Sequence, residues 1–140
     1  MNDRLKGASF KQKETTKIQT KTAEIYWEES NILRMNIMEG ADIDLNESKN
    51  NLNAFDAISQ GNSYSLMLDA RTNWNTSKEA REYTAKEESK RDIIGRAILV
   101  KSLSSRLFAH FYIKFNHLHS TTRIFNNEEK AIAWLRSRKH

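Results

Sequence analysis

The sequence predicts one α/β domain with a mixed sheet of about five strands covered by four helices. Its 140 residues suffice for a single domain with a hydrophobic core. The first patterned segments alternate apolar and polar side chains, and after them short apolar runs and capped, helix-like segments follow one another in strict alternation. Such alternation is typical of parallel strands joined by right-handed crossovers. The predicted order is β-β-α-β-α-β-α-β-α.

The first two strands are predicted to form an antiparallel hairpin. Residues 23–28 alternate between side chains of opposite character, and Leu33, Met35 and Ile37 share one face of the segment that follows. Between them the Glu-Ser-Asn segment 29–31 supplies a tight turn. One face of each strand is therefore expected to be buried.

Capping signals predict where the first two helices begin. Asp44 with Glu47 forms a D-x-x-E capping box ahead of a helically spaced apolar series. Thr76 with Glu79 forms a second box, so the second helix is predicted to begin at Thr76 or Ser77. Its interior is densely charged and weakly apolar, which predicts a helix on the surface.

Three apolar runs are predicted to be the remaining strands. Residues 64–69 are mainly apolar, as in a central strand, and residues 93–100 form the strongest strand signal, interrupted only by the Gly-Arg pair 95–96. Residues 122–125 are the last short strand, and Asn126 is predicted to cap the final helix.

The predicted third helix, residues 104–116, is apolar over more than one stripe. A helix of this kind is either deeply buried or presents a patch to a partner. One hypothesis is a docking surface for an apolar ligand, a second subunit or another protein, and the alternative is a broad core helix. The side chains concerned are Leu107, Phe108, Phe111, Tyr112 and Phe115.

The charge distribution and composition limit the classes of function that the sequence favours. Net charge is +4 over residues 1–22, −7 over 23–70 and +8 over 71–140, so the protein is bipolar and specific nucleic-acid binding is not favoured. Residues 1–20 are predicted to be a flexible basic arm, with a short added strand near residues 17–20 as an option, and residues 21–140 the domain. Cysteine is absent, and no secretory signal or apolar span is visible, so a cytoplasmic protein is expected.

Three stretches resemble the SpoIIAA-like, or STAS, domains, and most closely an uncharacterised STAS-like family of Bacteroidetes-type bacteria. They are residues 66–71 (LMLDAR), 76–83 (TSKEAREY) and 124–135 (IFNNEEKAIAWL). The resemblance covers about residues 22–137 and implies a small α/β module of the kind found in anti-sigma-factor antagonists. It also implies a regulatory role through protein–protein contact.

In signalling STAS domains a phosphorylatable Ser or Thr begins the helix after a central strand, and the matching position here is Thr76 or Ser77. A phosphate there would meet the positive end of a helix dipole, with Lys78 and Arg81 near in sequence. The Asp-Ser-Ser-Gly type of phrase is absent. Helix capping is the alternative role of these two residues, and the preferred one.

Two other groups are candidates for chemistry. Asp69 and Arg71 lie at the predicted carboxyl end of a parallel strand, where α/β sheets place ligands. Arg71 would contact an anion and Asp69 would accept a hydrogen bond; the alternative, which we favour, is a local ion pair. His117 and His119 provide two imidazoles, too few to close a metal site, so no metal or cofactor is predicted.

No catalytic motif is present, and a non-enzymatic binding or regulatory module is predicted. The first hypothesis is protein–protein contact, including a homodimer through the aromatic helix. The second is a carrier of a small apolar or anionic ligand, held between that helix and the strand ends near Asp69 and Arg71. An enzyme of unrecognised type is the least favoured of the three.

Overall fold

The computed structural model describes residues 16–102 and 121–138. These residues form eight strands and three helices, which are numbered here along the chain. The strands are β1 Lys17–Gln19, β2 Ala23–Glu29, β3 Ile32–Ile37, β4 Asp42–Ile43, β5 Tyr64–Asp69, β6 Asn75–Thr76, β7 Ile93–Leu99 and β8 Thr121–Phe125. The helices are α1 Leu45–Ser59, α2 Lys78–Glu88 and α3 Glu128–Ser137.

Six of the strands form one mixed sheet in the order β1-β2-β3-β5-β7-β8. Strands β1, β2 and β3 are antiparallel neighbours, and every pairing from β3 to β8 is parallel. The predicted fold class, a hairpin followed by parallel strands, is confirmed. The sheet has one strand more than the five expected because β1, inside the segment assigned to the arm, pairs with β2. Strands β4 and β6 form a separate two-stranded parallel sheet.

The hairpin follows the alternation in the sequence. Ala23 and Ile25 of β2 are fully buried, and Leu33 of β3 is buried on the same side. The turn between the strands passes through Asn31, whose φ of 76° lies in the left-handed region that Asn tolerates. The apolar side chains therefore share one face, as predicted.

Helix α1 begins as predicted, because the carboxylate of Asp44 accepts a hydrogen bond from the backbone N–H of Glu47 at 2.8 Å. Helix α2 is capped by Ser77, whose hydroxyl accepts from the N–H of Ala80 at 3.0 Å. The capping box predicted for Thr76 is wrong. Thr76 is held in β6, where its hydroxyl donates to the carbonyl of Ile43 at 2.9 Å, so the next residue becomes the cap.

Helix α3 begins one residue later than predicted. Asn127 is the N-cap, and its side-chain oxygen accepts from the N–H of Lys130 at 2.9 Å. Asn126 precedes the cap and lies in a bend at the end of β8. The predicted cap at Asn126 is therefore wrong by one position, and the adjacent Asn takes over the role with the same chemistry.

The two faces of the sheet carry different layers. Side chains of β5 alternate, so that Leu66 and Leu68 point to the face covered by α1 and α2, whereas Met67 and Asp69 point to the face of α3. The larger core lies between the sheet and α1. A smaller core joins Met67 to Leu135 of α3.

Several predictions fall on residues outside those described. The predicted aromatic helix 104–116, with the five side chains proposed as a docking surface, lies in the segment 103–120, and so do His117 and His119. Most of the predicted arm, residues 1–15, is also outside. Among the helices of the described ranges, none has the length and apolar character needed to cross a bilayer.

Candidate functional site

A cavity of about 640 Å³ lies between the sheet and the two helices α1 and α2. Strands β3, β5 and β7 form its floor, the two helices form its walls, and the segment 70–76 closes one side. Small-molecule sites in proteins have volumes of roughly 300–1,000 Å³. The cavity is therefore large enough for a small organic ligand.

The floor of this cavity is mainly apolar, and the wall formed by α1 is partly apolar. The floor consists of inward-facing strand residues, and α1 contributes Leu52 and Phe55 together with the polar side chains of Ser48 and Asn51. Phe55 also packs edge-on against Tyr64, with ring centroids 6.4 Å apart, which fixes the orientation of the aromatic wall. The apolar floor residues are Met35, Ile37, Leu66, Leu68, Ile98 and Val100.

The wall formed by α2 is polar. Arg81, Thr84 and Glu88 line the cavity and follow one another at intervals of three and four residues, which places them on one stripe of the helix. Glu88 forms a salt bridge with Arg96 of β7, and both side chains are almost fully buried. One end of the cavity thus carries a buried pair of opposite charges.

Arg81 lies near the start of α2 and is half-buried. Its Nη1 donates to the backbone oxygen of Thr76 at 3.3 Å. Within residues 16–102 and 121–138 no carboxylate lies within salt-bridge distance of its guanidinium. Arg81 therefore differs from Arg96, whose charge is already neutralised.

The segment that closes the cavity is tied down by backbone hydrogen bonds. The carbonyl of Asn73 accepts from the N–H of Gly40 at 2.7 Å, and the N–H of Asn75 donates to the carbonyl of Ala41 at 2.9 Å. Trp74 lines the cavity, and its indole N–H donates to the carbonyl of Ala70 at 3.3 Å. The segment is thus a fixed part of the cavity wall.

A second polar cluster lies on the opposite face of the sheet, around Arg34 of β3. Its Nη1 lies 2.6 Å from Glu28 and its Nη2 lies 3.0 Å from Asp69 and 3.1 Å from Glu128. Its Nε donates to the side-chain oxygen of Asn36 at 2.7 Å. The guanidinium joins strands β2, β3 and β5 to the first residue of α3.

Arg71 extends this cluster. It binds Asp69 through two side-chain hydrogen bonds of 2.9 and 2.7 Å, and its Nη2 lies 3.1 Å from Glu128. Burial alone would raise the pKa of Asp69, but the hydrogen bonds and charge of Arg71, together with a hydrogen bond from Arg34, lower it overall. The hydrogen bond from Arg34 lowers the pKa of Glu128 in the same way.

The five residues predicted to bind a ligand or anion therefore lie in two places. Asp69 and Arg71 belong to the ion cluster on the α3 face, where they form the local ion pair of the alternative interpretation. Thr76 and Arg81 line the cavity on the other face. Ser77 caps α2 and is exposed. The ligand-binding roles stay predictions, and the structure does not bring the five residues into one site.

Four residues that line the cavity were not predicted from the sequence as site residues: Trp74, Thr84, Glu88 and Arg96. Arg96 carried a usable signal, since a charged residue inside a continuous apolar strand must find a buried partner. Arg81, Thr84 and Glu88 of α2 follow an i, i+3, i+7 spacing, but the helix has many other charged residues, so this spacing did not stand out in the sequence. Their inward direction depends on tertiary packing.

In the described ranges no group of three or more His, Asp or Glu side chains is arranged to hold a metal ion. The titratable side chains of the cavity wall are two arginines and one glutamate. They offer charge and hydrogen bonds, and the remaining lining combines apolar side chains with uncharged polar ones such as Asn51 and Thr84. The arrangement is suited to binding an apolar molecule that has one polar end.

Comparison with known proteins supports the fold. The structure is similar to an uncharacterized protein of the DUF3478 family with a SpoIIAA-like fold, from Shewanella loihica PV-4, with a TM-score of 0.63 and 13% sequence identity. The match covers 84% of this chain and 98% of that one, and it confirms the SpoIIAA-like fold predicted from the sequence. No curated protein matches the chain significantly. Residues 26–139 match the family described as Domain of unknown function (DUF7793), and the chain belongs to that family.

Proposed function

We propose that this protein is a non-enzymatic binding module that holds a small, mainly apolar ligand in the cavity under α1 and α2. The observation that carries the proposal is the cavity itself, about 640 Å³ in volume, with a mainly apolar floor and a wall that adds Leu52 and Phe55 of α1. A ligand of matching shape that enters such a cavity removes the apolar lining and its own apolar surface from water, which favours binding.

The polar groups of the wall favour binding over catalysis. Glu88 and Arg96 neutralise each other, which leaves Arg81 as the lining cation without a carboxylate partner in the described residues. A nucleophile activated by an adjacent base needs a Ser, Cys or Thr within hydrogen-bond reach of a His or a carboxylate. The hydrogen bonds around the cavity connect no such pair among the described residues.

The ligand hypothesis is preferred to protein–protein contact because the cavity is formed by described residues. The docking hypothesis rests on Phe108, Tyr112 and their neighbours, which lie outside the described residues, so it stays a prediction from the sequence. The ligand hypothesis rests on side chains whose positions are described. It differs from the carrier predicted from the sequence, in which the aromatic helix and the strand ends near Asp69 and Arg71 hold the ligand. The cavity is walled by α1 and α2 instead, and it lies on the face of the sheet opposite Asp69 and Arg71.

The test uses a neutral fluorescent probe, N-phenyl-1-naphthylamine, whose emission rises in apolar surroundings. The full chain is expected to bind it saturably. Ala70→Phe places a ring in the cavity at a buried lining position and should abolish binding. Ala133→Phe adds the same bulk at an exposed position of α3 and should bind as the unmodified protein does.

Two results would reject the proposal. The first is the absence of saturable probe binding by the unmodified protein. The second is unchanged binding by Ala70→Phe when circular dichroism shows that this variant is folded. If Ala70→Phe does not fold, Leu68→Trp fills the same cavity from a half-buried lining position and provides the same comparison.

A further inference from the structure

We infer that the ligand is a long-chain carboxylate whose head group binds the guanidinium of Arg81. The inference rests on the proposed binding function and adds the chemical class of the ligand. It depends on three features of the cavity: the free donors of Arg81, the charge balance of the lining, and the position of the apolar surface relative to Arg81.

The first feature is the unused hydrogen-bonding capacity of Arg81. A guanidinium has five N–H donors, and among the described residues Arg81 uses one of them, toward the backbone oxygen of Thr76 at 3.3 Å. An arginine that lines an apolar cavity keeps its charge, so it favours an anion there. Carboxylates suit this group because they accept two parallel hydrogen bonds from its planar fork.

The second feature is the charge of the lining. Among the described residues the charged side chains of the lining are Arg81, Arg96 and Glu88, which together give one excess positive charge. The salt bridge between Glu88 and Arg96 is buried and pairs two opposite charges. One unpaired cation matches a monoanion, such as a carboxylate, better than it matches the nearly doubly charged phosphate monoester.

The third feature is the direction of the apolar surface. Arg81 lies in the first turn of α2, where Thr76 also lines the cavity and the positive end of the helix dipole favours an anion. The hydrocarbon portion would lie on the sheet floor, against Leu66 and Ile98, and beside Phe55 of α1. The anion and the apolar chain of one molecule are thus accommodated at the same time.

The test compares two ligands that differ only at the head group, dodecanoate and dodecan-1-ol. Each displaces N-phenyl-1-naphthylamine, the first below its critical micelle concentration and the second below its solubility limit. We expect dodecanoate to displace the probe at a concentration about tenfold lower than dodecan-1-ol does. A charge-assisted hydrogen bond to Arg81 accounts for a difference of this size. The measured quantity is the ratio of the two displacement constants in each variant, so that a general change of the cavity affects both ligands.

In Arg81→Gln the ratio should fall to about one, because the charge that distinguishes the two ligands is gone. Arg81→Lys should keep part of the preference, since the charge remains and the fork geometry is lost. The control is Lys78→Gln, which removes a positive charge from the same turn at an exposed side chain and should keep the ratio of the unmodified protein.

The inference is overturned if the unmodified protein binds both ligands equally, if Arg81→Gln keeps the preference, or if dodecyl phosphate binds more tightly than dodecanoate. These outcomes leave the proposed function intact whenever the neutral probe still binds in the cavity. Failure of the probe to bind at all rejects the proposed function instead. The two failures are therefore distinguishable.

Discussion

Nη2 of Arg34 lies 3.0 Å from Oδ2 of Asp69, and this contact joins the adjacent parallel strands β3 and β5. The same nitrogen reaches Glu128 at the start of α3, so one guanidinium holds a strand pair and a helix together. Its side chain is 9% exposed, which limits screening by water. The cluster is thus a structural element on the face opposite the cavity.

Replacement of Arg34 by Met is expected to lower the free energy of unfolding by about 3 kcal/mol, because three carboxylates lose a buried cation and the exposed Arg71 remains to pair with two of them. Urea unfolding followed by circular dichroism measures the change. Arg136→Met is the control. It breaks the pair with Glu29, in which the Arg136 side chain is 62% exposed, and should change stability little because water screens exposed ion pairs. Equal losses in the two variants would contradict the role given to Arg34.

Stability should fall as the pH is lowered, and Asp69 should contribute to the fall. The pKa of Asp69 in the folded protein lies below its ordinary value of 3.8, so the unfolded chain takes up the proton first. The stabilisation is fully present above the unfolded pKa and is lost as the pH falls through the folded pKa. Asp69→Asn should therefore lose less stability than the unmodified protein between about pH 5 and pH 3.

The matched control for this measurement is Asp42→Asn. Asp42 is exposed and forms no ion pair within the described residues. Its variant should follow the pH dependence of the unmodified protein. A pH profile of Asp69→Asn identical with that of the unmodified protein would show that the ion cluster does not hold the Asp69 carboxylate in its charged form.

The buried pair of Glu88 and Arg96 predicts an asymmetry between single and double variants. Glu88→Gln leaves the Arg96 charge buried without its carboxylate and is expected to cost about 3 kcal/mol. Replacing both by apolar residues, Glu88→Leu with Arg96→Met, should restore most of that stability. Thermal and urea unfolding of the three proteins provide the measurement. A double variant less stable than the single one would show that the pair itself stabilises the fold.

The N-cap of α3 predicts different effects of two adjacent asparagines. Asn127→Ala removes the oxygen that accepts from the N–H of Lys130 and should cost about 1 kcal/mol. Asn126→Ala changes an exposed residue outside the helix and should cost less than about 0.5 kcal/mol. Reversed magnitudes in urea unfolding would place the beginning of the helix at Asn126.

Much of the fold was predictable because its signals are local. The alternation around Ile25 and Met35 identified the hairpin, and Asp44 identified the beginning of α1, since both depend on neighbours in the sequence. Strands β4 and β6 have two residues each, too few to show a period. Thr76 was misassigned as a cap for that reason, because its partner is Ile43.

The cavity was less predictable than the fold. Arg81 was identified as a candidate, but its location on the face opposite Asp69 depends on side-chain direction in three dimensions. The partners of Arg34 come from three separate elements, and no spacing in the sequence connects them. Contacts between side chains that are distant in the sequence are therefore difficult to predict from a single sequence.

The order of the strands also bears on how the chain acquires its structure. Strands β1, β2 and β3 are linked by short turns and can pair as soon as they leave the ribosome. Each later strand is parallel to its neighbour in the sheet, so it can pair only after a long connecting segment has been made. Closing a long loop of this kind slows folding. We therefore expect the N-terminal meander to be the earliest paired region during synthesis, with β8 added last.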